Sequence, residues 1–232
     1  MAKLSAAIMA HPKRAEMVDE LLGWLDRPVP VVWDRVNDRH DTGVRAIEAF
    51  DPDATHHVVI QDDVVPAGDL LAGAERALGS VPVDVPVSLY VGRVRPFAHA
   101  VDHAVEQAEA GASWIVMDGI YWGPAIVLPT AVIPEVVRFF RSHTVQNYDA
   151  RVSRWFERQK LPCWYTWPSL VDHRGDVSLA HPSAKAGRRT HSFAGAERSA
   201  LELDWSGPVV TMRDTARLNR QRQAAARRGA RR

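Results

Sequence analysis

With 232 residues, 46% of them hydrophobic and 25% charged, the chain can bury a sizeable core and has the composition of a globular protein, not a disordered or fibrous one. Its one cysteine, Cys163, excludes an internal disulfide and a multi-cysteine zinc site and fits a reducing, cytoplasmic setting. The formal net charge is +1, but eight Arg and one Asp in residues 213–232 contribute +7 and leave −6 on the remainder, which excludes a uniformly basic nucleic-acid binder. No apolar run approaches the roughly 20 residues that span a bilayer, so no membrane partner is expected. The opening MAKLSAAIMAHPKR is too short for a signal sequence and is expected to hold the first strand.

Residues 4–10 (LSAAIMA) read as that strand, stopped by Pro12 with Lys13 and Arg14 at its carboxyl end. Met17, Leu21, Leu22 and Leu25 keep helical spacing over 14–25, and Pro28 ends that helix. Residues 29–33 are a second strand. Asp41-Thr42-Gly43 is placed to cap a helix running to Phe50. Residues 57–60 are a third strand, which gives β-α-β-α-β with crossovers of the length a parallel sheet needs. A helix over 69–78 capped by Asp69, a strand over 87–91 and a helix within 96–111 follow. Residues 113–117 and 120–128 look like two strands of a hairpin turned at Asp118-Gly119. Helices over 129–142 and 150–160 and a strand over 161–167 complete the pattern. Beyond Ser178 the composition shifts to Ser, Ala, Gly, Lys and Arg, and an irregular, mobile loop is expected from about 180 to 200. The expected division is a body of 1–178, a loop and extension of 179–212, and an Arg-rich tail of 213–232.

The stretch that carries most chemistry is His56–Pro66, HHVVIQDDVVP. An apolar, β-branched run suits a buried strand, and Gln61-Asp62-Asp63 follows where that strand ends. Ligands of open α/β sheets bind beyond the carboxyl ends of the strands. Two adjacent carboxylates there are costly unless a cation joins them. They read either as a solvated turn or as the seat of a divalent cation carrying a phosphorylated ligand. Three further motifs follow in order: Trp-Gly-Pro-Ala at 122–125, Asn-Tyr-Asp at 147–149, and Pro-Ser-Leu-Val-Asp-His-Arg-Gly at 168–175.

In this order the four motifs resemble those of the GT-A fold nucleotide-sugar glycosyltransferases, over most of residues 4–178. The resemblance implies a Rossmann-like, mostly parallel α/β sheet flanked by helices, with a divalent metal, Mn2+ or Mg2+, and a sugar-nucleotide diphosphate at the acidic motif. Gln61-Asp62-Asp63 looks like a variant of the family's Asp-X-Asp, with Gln at the first acidic position. It implies Asp63 as metal ligand and Asp62 facing ribose or sugar hydroxyls. His173 resembles the histidine that completes the metal shell; a histidine satisfied in a turn is the alternative, and Asp172 either orients it or is solvated. Asp149 resembles the acid facing the acceptor, a general base if it is more than a helix cap. Trp122 and Gly123 would line the floor between donor and acceptor, or else belong to a bent strand with a core tryptophan. His11 and Arg14 lie where the family holds its nucleotide. Asp34 would accept from a base edge or ribose and Arg45 would reach the diphosphate, unless both are in surface salt bridges.

The loop residues His181, Lys185, Arg188, Arg189 and His191 would close over the donor, or else remain solvated charge. A uridine diphosphate sugar is the donor that the resemblance suggests, with inversion at the sugar carbon. The basic tail points mildly to a DNA acceptor, with a protein as the other. A nucleotidyltransferase or phosphohydrolase using the same metal site, and a non-catalytic nucleic-acid-binding module, are the competing classes.

Overall fold

A computed structural model describes residues 2–93, 98–142, 148–174 and 189–212. Its centre is an eight-stranded mixed sheet flanked by helices, an α/β architecture of Rossmann-like kind. The strands are β1 (Leu4–Ala10), β2 (Val31–Trp33), β3 (His56–Gln61), β4 (Val64–Pro66), β5 (Val87–Ser88), β6 (Trp114–Met117), β7 (Ala125–Pro129), β8 (Cys163–Thr166), β9 (Val171–His173) and β10 (Val209–Thr211). The large sheet runs β10-β6-β8-β5-β7-β3-β1-β2, while β4 and β9 form a separate two-stranded sheet. The helices are α1 (Ala15–Trp24), α2 (Arg39–Glu48), α3 (Leu70–Leu78), α4 (Ala98–Ala108), α5 (Ile133–Ser142) and α6 (Tyr148–Gln159).

The first half is the expected parallel unit. β1 pairs in parallel with both β2 and β3, in the registers Ala10↔Trp33 and Ile8↔Ile60. The carboxyl ends of β1, β2 and β3 therefore open onto one edge. Right-handed crossovers put α1 and α2 on opposite faces. Val58, Val59 and Ile60 are fully buried, as a central strand covered on both faces requires.

The expected hairpin of 113–128 does not form. β7 lies antiparallel between β3 and β5, whereas β6 pairs with β8 and β10. Both runs are apolar throughout, so neither carries an alternation that would select its neighbour. Two caps also differ. Asp38, not Asp41, caps α2 by accepting from His40 N at 2.7 Å. Asp69 sits at the start of α3 with φ 52° and makes no cap bond. Asp26, just past α1, instead accepts from Leu71 N at 2.9 Å and Ala72 N at 3.0 Å. Helix α3 thus borrows its N-cap from 45 residues away.

The stretch expected to be a loop and extension is, where described, part of the body. Thr190 bridges Gly92, a turn of 3-10 helix at Ala200–Glu202 packs on α3, and β10 adds a parallel edge strand to β6. Its apolar contacts, Trp205 on Trp114 with centroids 5.2 Å apart, explain why a polar-looking segment is held. Residues 175–188, including His181, Lys185 and Arg188, and the tail 213–232 lie outside the described residues. No helix among the described residues is long and apolar enough to cross a membrane.

Candidate functional site

The acid pair is buried. Asp62 and Asp63 are each 5% exposed, which rules out a solvated turn and obliges each oxygen to find a partner. Asp62 Oδ2 accepts from the backbone N–H of His11 at 2.7 Å. Arg14 Nη1 donates to Asp62 Oδ1 at 2.7 Å and to Asp63 Oδ2 at 2.6 Å. The loop after β1 thereby supplies both partners, because β1 and β3 end side by side. Arg14 and the His11 backbone, read from the sequence as nucleotide-binding, are both at the pair. Arg14 is bound to the carboxylates themselves, so the cation that the pair demands comes first from the chain.

His173 reaches the pair through an element that the sequence reading missed. The residues just after the acids, Val64–Pro66, form β4 and pair antiparallel with β9 in the register Val64↔His173. Arg174 N donates to Asp63 O at 2.9 Å and closes the ladder. His173 Nε2 comes to 3.2 Å from Asp63 Oδ2, and the His173 side chain is 5% exposed. The terminal Pro66 disguised a strand only three residues long.

The two acids are driven apart in acidity. Burial pushes the Asp63 carboxyl up, but the His173 hydrogen bond and charge together with Arg14 outweigh it and hold it at about 2. Burial also pushes Asp62 up, and there the Asp63 charge adds to it, so Asp62 stays above the usual range despite Arg14. Burial lowers the Arg14 guanidinium, and the two carboxylates more than offset it.

The Trp-Gly-Pro-Ala turn joins the acid motif to α6. Gln61 N donates to Pro124 O at 2.8 Å. A Cβ added to Gly123 would stand 2.7 Å from Gln61 Nε2 and 3.6 Å from Asp149 Cβ. Gln61 and Asp149 thus both border Gly123, and the Gln61 amide takes up the space that a Cβ there would need. Asp149 is half-buried in the first turn of α6, where its Oδ1 accepts from Ala150 N at 2.9 Å.

Trp122 belongs to the core. It is 6% exposed and stands edge-on among Tyr90, Tyr121 and Tyr165, at 6.2, 5.9 and 5.8 Å between centroids. Its chain neighbour Gly123 is the part that borders Gln61 and Asp149. Asp34 closes its own turn, with Oδ1 accepting from Val36 N at 3.0 Å and Asp38 N at 3.2 Å. Arg45 binds Asp41 at 2.8 Å and Trp33 O at 2.9 Å. It lines a different cavity, of about 360 Å³ between α2, α5 and α6, whose lining includes neither Asp62, Asp63, His173 nor Asp149. Asp34 and Arg45 are thus bound locally and are not brought to the acid pair. Asp172 is not solvated: it accepts from His173 N and Thr190 N, both at 2.8 Å, and pairs with Arg189 at 3.0 Å. It ties β9 to residues 189–190. His191 donates its backbone N–H to Val91 O at 3.0 Å.

Whether the residues present suit a divalent ion turns on one atom. Asp63 Oδ1 is buried with no hydrogen-bond partner, on a side chain whose other oxygen lies beside His173. No group of three or more His, Cys, Asp and Glu able to hold a metal ion occurs among the described residues. A lone open carboxylate oxygen with an imidazole nearby is too little for an all-protein cage. It fits an ion that draws its remaining ligands from phosphate and water, as Mg2+ commonly does.

No protein family profile and no curated protein matches the chain. Among solved structures the chain is similar to 4-diphosphocytidyl-2C-methyl-D-erythritol synthase from Anaerococcus prevotii DSM 20548, at 9% identity over 73% of this chain and 89% of that one, with a TM-score of 0.37. The reading of the site rests on the geometry above and not on that likeness.

Proposed function

We propose that the protein transfers a sugar from a nucleotide-sugar donor to an acceptor hydroxyl, with inversion. The observation that carries this reading is the meeting of Gln61, Gly123 and Asp149 at the residue that directly precedes the buried, Arg14- and His173-bound acid pair. Gln61, which packs beside Gly123 and directly precedes the acid pair in the chain, then links cationic and ion-binding groups for a diphosphate to a half-buried carboxylate for an acceptor. In this reading Arg14 and the His11 loop hold the diphosphate end of the donor. Asp63 Oδ1 and His173 would hold a divalent ion, Mn2+ or Mg2+. When bound, that ion supplies charge neutralisation for the departing nucleoside diphosphate. Gly123 lets the sugar approach the backbone at the floor, and a Cβ there would displace the Gln61 amide. Asp149 takes the acceptor proton as the new bond forms, which makes a weak nucleophile competent. The sugar carbon passes through an oxocarbenium-like state, and no second carboxylate is assigned as a covalent nucleophile.

The test is to incubate the full chain with Mn2+ or Mg2+ and a panel of sugar nucleotides, uridine diphosphate sugars first. Slow hydrolysis to free sugar and nucleoside diphosphate, lost in Asp63→Asn, supports the reading. Release of pyrophosphate or nucleoside monophosphate would assign nucleotidyl transfer or phosphohydrolysis instead. The acceptor is proposed as a soluble macromolecule. Transfer to hydroxymethylated DNA and to protein, with and without residues 213–232, separates the two; loss of DNA transfer at low salt on removing the tail supports DNA.

A further inference from the structure

Three of the four carboxylate oxygens in the acid pair are already engaged. Asp62 Oδ2 holds the His11 N–H, Asp62 Oδ1 holds Arg14, and Asp63 Oδ2 is shared by Arg14 and His173. Asp63 Oδ1 remains, buried and without a hydrogen-bond partner. The Arg14 side chain is itself only 10% exposed, and each carboxylate side chain 7%. Pulling a buried charge away from its partners is strongly unfavourable. A dication entering beside the guanidinium meets like charge in a poorly solvated place, with one free protein oxygen to bind.

We infer that Arg14 keeps the free protein from holding a divalent ion and makes ion binding conditional on a polyphosphate. Phosphate oxygens bring both things the site lacks: further hard ligands for the ion, and negative charge that offsets Arg14. Arg14 is on this account a specificity element that selects an ion–polyphosphate complex over the ion alone. The proposed function enters only in naming a nucleoside diphosphate as the polyphosphate.

The experiment is Mn2+ titration of the full chain, followed by electron paramagnetic resonance and by thermal unfolding, with and without uridine diphosphate and with no sugar donor or acceptor. Wild type should not saturate with Mn2+ alone up to about 1 mM, and should bind one Mn2+ at least about tenfold more tightly with the nucleotide. Arg14→Met keeps a stem of similar length without the charge. It should gain about tenfold or more in affinity for Mn2+ alone, with a Tm raised by Mn2+, because two uncompensated carboxylates then become the ligands. Adding Asp63→Asn should remove the gain. Arg14→Lys keeps a positive charge and should behave as wild type; with the wild-type titration it decides the matter if Arg14→Met does not fold. Tight stoichiometric Mn2+ binding by the wild type without nucleotide, or no gain in folded Arg14→Met, overturns the inference. Failure of uridine diphosphate to bind counts against the proposed donor, while the Mn2+-only comparison of wild type and Arg14→Met still decides the role of Arg14.

Discussion

Gly123→Ala is the perturbation that separates the floor of the site from the stability of the fold. The new methyl would stand 2.7 Å from Gln61 Nε2, against 3.6 Å from Asp149 Cβ. The Asp149 contact is ordinary, so only the Gln61 amide must move, by several tenths of an ångström. That amide ends a flexible side chain, so the overpacking cost should fall near the low end of its range, about 1 kcal/mol. For a chain of this size that is a fall of roughly 2–4 °C in Tm. The effect on turnover should be out of proportion. The methyl displaces the Gln61 amide beside the proposed base, and a misplacement that approaches about 1 Å costs on the order of 100-fold in rate. The assay pairs a thermal melt with kcat/KM for donor hydrolysis or transfer. A variant that melts within a few degrees of wild type and keeps kcat/KM within about twofold would refute the placement of the sugar at Gly123.

Asp149→Asn should lower kcat by two orders of magnitude or more while leaving donor affinity by calorimetry near wild type; unchanged turnover would reduce Asp149 to a cap of α6. Burial holds His56 and His57 below their ordinary pKa, although His57 Nε2 bonds Ala46 O. The unfolded chain therefore takes their protons first, and stability should fall as pH drops below about 6.5, by at most roughly 1.4 kcal/mol per pH unit for each. Chemical denaturation at pH 7.5 and 5.5 should show a smaller loss in His57→Gln than in wild type, and an equal loss would contradict the assignment. Asp172→Ala removes the acceptor for His173 N and Thr190 N and strands Arg189; it should cost about 1–3 kcal/mol in urea unfolding, and a loss below a few tenths would show that the tie is dispensable.

The parts of the fold that were readable from the chain are those in which pattern and partner are both local. The β1-α1-β2-α2-β3 unit follows from apolar runs, helical spacing and crossover length, and its strands pair as that pattern requires. Pairing across the sheet was not readable, because β6 and β7 are apolar throughout and fit several neighbours equally. β4 was hidden by its length and by Pro66, and with it the reason that His173 meets Asp63. β10 was hidden in a segment whose composition looks like loop, since what holds it is a tryptophan contact made far along the chain.

At the site, the pairing of two buried acids with a cation followed from electrostatics alone, but the identity of that cation did not. Arg14 stands 48 residues before Asp62, and only the adjacency of β1 and β3 brings it there. The same adjacency explains why His11 contributes through its backbone and not its ring. Trp122, Asp34 and Arg45 illustrate the converse. Each is a residue type suited to a ligand, yet each is taken up by packing or by a bond close at hand.

The most direct test of the central claim is an experimental structure of the full chain with uridine diphosphate and Mn2+. The account predicts the diphosphate beside Arg14, with Mn2+ bound by Asp63 Oδ1 and His173 and the terminal phosphate facing Gly123. A diphosphate seated instead in the arginine-lined cavity between α2, α5 and α6, with the acid pair still closed on Arg14 and no ion beside it, would contradict it.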